Sequence, residues 1–295
     1  MNEPNLQLAG RSIGAILVDT GRLSLDDAER ILHAQKEMGL RFGEAAVRLG
    51  LLSLQDIQQA LARQYDYPYL VKREHGNEIA DELVAAYEPF SHQVEILRGL
   101  RSQLMLRWFT GEPENRTLAV TSPGRGDGRS YLAANLAVVF SQLGEHTLLI
   151  DADIRNPRQH ELFKLDNRSG LTSILSGRAD LNDIRRIPSF MDLSVLVAGP
   201  QPPNPQELLG RPIFSKLLEE LVNEFDVIII DTPAGDEYAD VQTIAVRASG
   251  ALVVARNNQT SVTAFGNLVK GFANAGVVVV GSVFNDPPRA AKAGN

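Results

Sequence analysis

The sequence predicts an α/β protein with a mostly parallel sheet, helices on both faces of the sheet, and a small helical domain in front of it. From residue 117 onward, short β-branched apolar runs alternate with helical stretches, as in chains built from βαβ units. Before that point, residues 12–64 contain a repeat bounded by Ser and Gly, with no strand-like run. The predicted segments are a helical domain at 1–68, a linker at 69–90, an α/β domain at 91–286 and a disordered tail at 287–295.

Length and composition limit the classes of function. A chain of 295 residues suits about two domains, and its net charge of −7 argues against sequence-independent nucleic-acid binding. The absence of cysteine excludes disulfides and thiolate metal sites, and it fits a reducing cytoplasm. No apolar run is long enough to cross a bilayer, and the first ten residues lack the pattern of a signal peptide. We therefore expect a cytoplasmic protein without direct membrane insertion.

The helical domain is a tandem repeat with an offset of 29 residues, and nine of the 24 paired positions are identical. Each copy predicts a short helix, a glycine stop, a serine N-cap and a second helix. The serine N-caps are Ser24 and Ser53, and acidic residues follow both in the first helical turn.

This repeat resembles the tandem motif of MshEN-type N-terminal domains, some of which bind cyclic di-GMP. The second copy follows the family motif from Arg41 to Gln64, whereas the arginine of the first copy is displaced to Arg11. The resemblance implies a cyclic di-GMP site at Arg11, Gly14, Gln35, Arg41, Gly43 and Gln64. The alternative is a helical docking domain whose glycines only end helices.

Two features lie between the repeat and the α/β domain. Tyr65, Tyr67 and Tyr69 cluster at the start of a polar segment that predicts one short helix near 79–87, and they are either phosphorylation sites or packing residues of a domain edge. Residues 91–109 then predict a helix with Ser91 as N-cap. That helix carries Glu95, Arg98 and Arg101 at a spacing of three. This spacing alone also fits a ladder of ion pairs within the helix.

The α/β domain is predicted from its continuous apolar runs, which are typical of strands buried on both faces of a parallel sheet. The predicted strands are Thr117–Thr121, His146–Asp151, Leu193–Ala198, Val227–Asp231, Ala251–Ala255 and Val277–Val283, and the predicted crossover helices are 129–143, 213–224, 239–247 and 261–274. Ligands of such sheets bind beyond the carboxyl ends of the strands.

The first strand is followed by a glycine-rich turn and a helix, which is the context of a phosphate-binding P-loop. Pro123 stands where such loops begin with glycine, and Arg129 stands where they carry lysine. Ser130 fits the hydroxyl that coordinates Mg²⁺. The predicted nucleotide-binding residues here are Gly124, Arg125, Gly126, Asp127, Gly128, Arg129, Ser130 and Tyr131.

Acidic residues end two further strands. Asp151 ends the second strand, Asp153 comes two residues later, and Asp231 ends the fourth strand. Buried carboxylates are costly unless they are paired or bind a metal, so one can hold Mg²⁺ and another can accept a substrate proton. Late in the chain, Asn285 is placed to hydrogen-bond a purine or to make a turn, and Arg256 is placed to flank the base.

Together, residues 90–286 resemble the bacterial tyrosine kinases, which are P-loop proteins related to the MinD/ParA ATPases. The resemblance rests on three motifs in the family order: Glu95-x2-Arg98-x2-Arg101, the acidic motif Leu148–Arg155 and the Walker B motif Ile228–Pro233. With the front repeat, the whole chain is similar to the EpsG type of chain-length-determinant tyrosine kinases from exopolysaccharide operons.

The resemblance implies roles for these residues. The P-loop would hold ATP, while Ser130, Asp151 and Asp231 would organise Mg²⁺. Asp153 would accept the tyrosine proton, and Arg155 would orient its loop or sense the γ-phosphate. Arg129 completes the predicted catalytic set, and Glu95, Arg98 and Arg101 would form an oligomer interface. An inner-membrane chain-length determinant, a polysaccharide co-polymerase, would be the partner at the membrane.

Two departures from the family keep alternatives open. The tail has no tyrosine, although these kinases usually autophosphorylate a C-terminal tyrosine cluster, and arginine replaces the P-loop lysine. One alternative is an ATP-dependent regulatory switch, responsive to cyclic di-GMP, that controls polysaccharide assembly or a secretion system without tyrosine phosphorylation. Another is an ATPase that acts in protein positioning or secretion.

Overall fold

The computed structural model describes residues 12–65, 67–72 and 76–287, which form two compact units divided after Tyr69. Arg11 lies outside the described residues, as does the predicted tail apart from Pro287. No helix in the described ranges is both long and apolar enough to cross a bilayer.

The first unit consists of four helices. They are α1 (Ile13–Asp19), α2 (Leu25–Met38), α3 (Phe42–Arg48) and α4 (Leu54–Gln64). The serine N-caps are confirmed, since the hydroxyl oxygens of Ser24 and Ser53 accept the N–H groups of Asp27 and Asp56, each at 3.1 Å. Equivalent glycines of the two copies, Gly21 and Gly50, are left-handed at φ +69° and +67°, which a side chain would disfavour.

The repeat determines how this unit packs. Helix α1 packs against α4 and α2 against α3, so the first helix of each copy contacts the second helix of the other. One copy alone could not bury its apolar face, which is why repeated units of this kind occur together. The shared core consists of Ile16, Leu17, Leu23, Ile31, Ala34, Ala45, Ala46, Leu52, Ile57 and Ala60.

The second unit is built on a seven-stranded sheet. Its strands are β1 (Thr117–Thr121), β2 (Thr147–Asp151), β3 (Arg185–Arg186), β4 (Leu193–Leu196), β5 (Val227–Asp231), β6 (Gly250–Arg256) and β7 (Val278–Asn285). The spatial order is β3-β4-β2-β5-β1-β6-β7, and only β3 is antiparallel to its neighbour. All six predicted strands are confirmed, whereas the exposed two-residue strand β3 carries no apolar signal and was not predicted.

Helices cover both faces of this sheet. They are α5 (Val84–Tyr87), α6 (His92–Arg107), α7 (Arg129–Ser141), α8 (Gln159–Leu162), α9 (Leu171–Leu175), α10 (Pro205–Gly210), α11 (Pro212–Leu221), α12 (Asp240–Ala248) and α13 (Val262–Asn274). Successive strand residues face opposite cores, so that Leu149 packs with α7 whereas Leu148 and Ile150 pack on the side of α10–α12. This three-layer arrangement confirms the predicted fold class.

The segment predicted as a linker at 69–90 is not one throughout. Ile79, Leu83 and Ala85 are buried in the core of the second unit. The N–H of Ala85 donates to Asn135 Oδ1 at 3.0 Å, which fixes α5 to the middle of α7. A single helical turn is too short to show amphipathic periodicity in sequence, so its burial could not be inferred there.

Candidate active site

The glycine-rich turn predicted as a P-loop connects β1 to α7 at the carboxyl edge of the sheet. Gly126 and Gly128 are left-handed, with φ of +77° and +102°. A Cβ on Gly128 would lie 2.4 Å from Asn285 Nδ2, so a side chain there would displace Asn285. The loop therefore approaches the end of β7 closely, and the N-terminus of the 13-residue helix α7 follows it directly.

The side chain of Arg129 holds this loop in place through hydrogen bonds. Its Nε donates to Thr232 O at 2.9 Å, and its Nη1 donates to Gly124 O at 2.7 Å and to the hydroxyl of Ser122. The side chain is only 7% exposed, and Nη2 lies 3.9 Å from Asp153 Oδ2. A lysine has one ammonium and could not span these acceptors, which gives the arginine at this position a structural reason.

The side chain of Asp127 stabilises the loop itself, while its role as a nucleotide-binding residue stays a prediction. Its buried carboxylate accepts the N–H of Gly124 at 3.0 Å and the hydroxyl of Thr260 at 2.9 Å. Its carbonyl oxygen accepts Asn285 Nδ2 at 2.9 Å. Asn285 therefore uses one amide hydrogen to hold the loop, although it still lines the cavity described below.

Asp151 and Asp231 lie side by side because β2 and β5 are neighbours and the register pairs these two residues. Both are fully buried, and Oδ1 of each has no hydrogen-bond partner among the described residues. Burial raises the pKa of Asp231 to about 6, against the opposing charge of Arg129. Burial, and then the neighbouring Asp231 carboxylate, raise the pKa of Asp151 well above its ordinary value.

Two adjacent, buried carboxylate oxygens without partners fit a divalent cation. Oxygen ligands of this kind are those that Mg²⁺ prefers, and the ion would remove the repulsion between the two acids. Ser130 lies at the start of α7 and hydrogen-bonds Asp231, which brings the third predicted ligand to the same place. The residues present therefore fit Mg²⁺.

Gln159 connects these acids and was missed in the sequence analysis. Its side-chain Nε2 donates to Asp231 Oδ2 at 2.8 Å and to Ser130 O at 3.2 Å, while its backbone N–H donates to Asp151 Oδ2 at 2.9 Å. A buried glutamine within a polar segment carries no recognisable motif. Its position eight residues after Asp151, at the start of α8, was the only available signal.

Asp153 stands on the cavity wall just beyond the two buried acids. Its Oδ1 accepts the N–H of Asn156 at 3.0 Å, which orients the carboxyl group. Burial raises its pKa, while hydrogen bonding and the Arg129 guanidinium act in the opposite direction. A carboxylate with a raised pKa beside the phosphate loop is the arrangement expected of a general base.

Arg155 pairs with residues at the start of α12 and is not among the residues that line the cavity described below. Its Nε donates to Asp240 Oδ2 at 2.7 Å, and its guanidinium lies 3.9 Å from the centroid of the Tyr238 ring. The buried Asp240 carboxylate, at the start of α12, attracts it there. This ion pair connects the loop that carries Asp153 to α12, and the role of Arg155 in the reaction stays a prediction.

A cavity of about 960 Å³ brings most of the predicted nucleotide-binding residues together. Such a volume suits a nucleotide. Apolar side chains of α6 and β7, including Leu97 and Phe284, line it together with the P-loop. The predicted residues on its wall are Arg125, Gly126, Gly128, Arg129, Ser130, Tyr131, Asp153, Arg256 and Asn285.

Several of these side chains also make contacts around the loop. Arg256 Nη1 donates to Gly126 O at 2.7 Å, and Arg125 Nη2 donates to Asn156 Oδ1 at 3.0 Å. The hydroxyl of Tyr131 accepts Gln93 Nε2 at 2.7 Å, and burial raises the pKa of Tyr131 to about 12. The first two contacts fix the phosphate loop, and the third fixes Tyr131 in the cavity wall.

The predicted oligomer-interface residues all lie on α6. Arg98 Nη1 donates to Glu95 Oε2 at 3.2 Å, as in an intrahelical pair. Arg101 Nη1 donates to Val139 O at 2.8 Å and so joins α6 to α7. Arg101 therefore has a contact within its own chain, and the interface remains a prediction.

Of the five predicted cyclic di-GMP residues that the structure describes, three line one cavity of the first unit and two do not. Gly14, Gln35 and Gln64 line a cavity of about 600 Å³. Arg41 is exposed at the start of α3 and is not part of that wall. Gly43 is a packing position, since a Cβ there would lie 2.9 Å from Ile57 Cγ2.

Comparisons with known proteins agree with the fold. A family model for ParA, described as an NUBPL iron-transfer P-loop NTPase, matches residues 114–287. The chain is 38% identical to CapB of Staphylococcus aureus over 205 residues, which cover 68% of this chain and 87% of CapB. It is 32% identical to the tyrosine-protein kinase YwqD of Bacillus subtilis over 215 residues, or 73% and 90% of the two chains.

Solved structures give the same assignment. The kinase domain of the Escherichia coli tyrosine kinase ETK superposes with a TM-score of 0.68 and 30% identity, covering 78% of this chain and 89% of that domain. The P-loop, the three acids and Asn285 all lie within residues 114–287, which the family model matches. With its mostly parallel sheet and ParA-like P-loop, the chain belongs to the bacterial tyrosine kinases, a family of P-loop NTPases.

Proposed function

We propose that this chain transfers the γ-phosphoryl group of ATP to tyrosine hydroxyls. The observation that carries the proposal is Asp153, a buried carboxylate on the wall of the P-loop cavity, 3.9 Å from the Arg129 guanidinium. A nucleotide-binding protein that only binds or releases ATP has no need for such a third acid. A kinase needs one to receive the proton of the attacking hydroxyl.

The P-loop amides and the N-terminus of α7 would hold the phosphates of ATP. Ser130, Asp151 and Asp231 would hold Mg²⁺, which supplies neutralisation of the phosphate charge when it is bound. Arg256 and Asn285 would stand beside the base, since both line the cavity near the end of β7. Catalysis would consist of positioning and charge neutralisation around an in-line transfer.

Asp153 would accept the proton from the tyrosine hydroxyl. Its raised pKa makes it a better proton acceptor than an exposed aspartate. Arg155 would keep the Asp153 loop in place through Asp240, and it would not contact substrate.

The test measures ADP release and phosphotyrosine in parallel on the full chain with Mg·ATP and a synthetic Glu/Tyr copolymer as acceptor. We expect Asp153→Asn to abolish phosphotyrosine formation while nucleotide binding persists. Asp180→Asn is the matched control, because Asp180 is an exposed aspartate of the same unit. Phosphotyrosine at wild-type rates in Asp153→Asn would refute the assigned role of Asp153, and no phosphotyrosine in the wild-type chain would refute the kinase.

One observation favours a second candidate, an ATP-dependent switch that transfers no phosphate. Arg129 replaces the P-loop lysine, and its Nε and Nη1 already donate to acceptors within the chain, at Thr232, Ser122 and Gly124. A chain that binds Mg·ATP and releases it unchanged, with the copolymer unlabelled, would support the switch.

We also propose that the reaction regulates chain length, polymerisation and export of an exopolysaccharide at the cytoplasmic face of the inner membrane. The partner would be a membrane chain-length determinant, and the chain would form a homo-oligomer through α6. The exposed Glu95 and its neighbour Arg98 support this surface. Light scattering should show a smaller oligomer for Glu95→Ala/Arg98→Ala than for the wild-type chain.

A further inference from the structure

The chain contains six tyrosines, and all of them lie within the described residues, so their environments can be compared. They are Tyr65, Tyr67, Tyr69, Tyr87, Tyr131 and Tyr238. A tyrosine that accepts a phosphoryl group must bring its hydroxyl into the cavity of an enzyme. Exposure of the ring therefore separates candidate acceptors from structural tyrosines.

Three of the six have structural positions in the second unit. Tyr87 is buried, and its hydroxyl donates to Ile79 O at 2.9 Å. The hydroxyl of Tyr131 is held in the wall of the nucleotide cavity, where burial raises its pKa to about 12. The ring of Tyr238 stacks under the guanidinium of Arg155.

The other three lie within five residues at the end of the first unit, and they are not equivalent. Tyr67 and Tyr69 are half-buried, and burial raises the pKa of the Tyr69 hydroxyl. Tyr65 is 76% exposed, directly after the last residue of α4. Its backbone N–H donates to Leu61 O at 3.1 Å, so the chain is held there while the ring extends into solvent.

We propose that Tyr65 is the phosphate acceptor within this chain. The inference rests on the proposed kinase function and names its substrate tyrosine. The Tyr65 hydroxyl oxygen attacks the γ-phosphorus of ATP and forms the new P–O bond. The bond between that phosphorus and the β–γ bridging oxygen breaks, ADP leaves, and the hydroxyl proton passes to the Asp153 carboxylate.

The product has a predictable effect on the first unit. Tyr65 is the C-cap of α4, where the backbone carbonyls present partial negative charge. A phosphate group with nearly two negative charges at a helix C-terminus is repelled by those carbonyls. Phosphorylation at Tyr65 therefore loosens the last turn of α4, the helix that packs against α1.

The experiment incubates the full chain with Mg·ATP in the presence of the Glu/Tyr copolymer and maps phosphotyrosine by mass spectrometry. We expect Tyr65→Phe to remove most of the phosphotyrosine from the chain while copolymer labelling and ADP release stay at wild-type levels. Tyr69→Phe is the matched control from the same segment and should retain the label. Asp153→Asn is the blank.

The two hypotheses fail in different ways. If the copolymer is labelled but Tyr65 is not, or if Tyr65→Phe keeps the full label, the acceptor assignment is wrong and the kinase function stands. If neither the chain nor the copolymer gains phosphotyrosine, the kinase function is wrong and the acceptor assignment fails with it.

Discussion

Asp231 is buried at the end of β5. Its carboxyl group binds a proton more tightly in the folded chain than in the unfolded chain. Its pKa rises from 3.8 to about 6 on folding. The stabilisation from this proton is fully present below pH 3.8 and is lost as the pH rises through about 6. At neutral pH and without metal, the ionised carboxylate therefore lowers the stability of the second unit.

Asp231→Asn should relieve this cost, because asparagine is close in shape and uncharged. We expect the free energy of unfolding at pH 7.5, without nucleotide, to rise by about 1–3 kcal/mol, given 1.36 kcal/mol per pKa unit. Urea unfolding at pH 4.5 and 7.5 measures the effect, which should shrink at the lower pH. Asp180→Asn is the exposed control. An Asp231→Asn chain less stable than wild type at pH 7.5 would contradict this account.

The three acids of the site could be predicted from the sequence, but the side chains that orient them could not. Asp151, Asp153 and Asp231 could be named because each lies at or just beyond a strand end, where parallel strands bring polar groups together. The direction of Arg155 could not be named, because its partner Asp240 lies 85 residues further along the chain. Gln159 was missed for the same reason, because its side chain contacts Asp231, which lies 72 residues further along the chain.

At the scale of elements, the Arg155–Asp240 ion pair joins the loop after β2 to the start of α12. Asp240 is almost fully buried, whereas a fifth of the Arg155 side chain is exposed. Removing the arginine leaves a buried carboxylate without its partner, which costs about 3 kcal/mol in comparable buried pairs. The loop that carries Asp153 would lose its anchor at the same time.

A double-mutant cycle tests this connection. We expect Arg155→Met to destabilise the second unit and to lower phosphotyrosine formation. Adding Asp240→Asn should restore much of the stability, because no charge is then left buried. The control is Arg168→Met, which breaks an exposed ion pair with Asp166 and should change little. Equal losses in Arg155→Met with and without Asp240→Asn would show that the pair is not coupled.

Long apolar or amphipathic segments were predicted with their type, whereas several of the shortest helices were not. The buried strands β1, β2 and β5 are continuous apolar runs, and α13 keeps its amphipathic pattern over 13 residues. In contrast, α8 has four residues and α9 has five, and neither was predicted, because segments this short show no periodicity. The short helix predicted near 79–87 corresponds to α5, but its burial was not predicted. The turn α5 was assigned to a linker although it is part of the core.

At the scale of the whole molecule, the two units have separate hydrophobic cores and should unfold separately. The first unit has only about 55 described residues, and alanines form much of its core. Small cores of this kind give marginal stability. The second unit has two larger cores on the faces of a seven-stranded sheet. We therefore expect the first unit to unfold at the lower urea concentration.

A single tryptophan makes this separation measurable. Trp108 belongs to the second unit, is 5% exposed, and donates from Nε1 to Thr117 O at 2.8 Å. Its fluorescence reports on that unit alone, whereas circular dichroism reports on the helices of both. The two transitions should not coincide, and Mg·ADP should raise the fluorescence midpoint while leaving the earlier change in circular dichroism in place. If the two transitions coincide and Mg·ADP shifts both of them, the chain unfolds as one cooperative body. A phosphate at Tyr65 would then affect the nucleotide site only by changing the stability of that whole body.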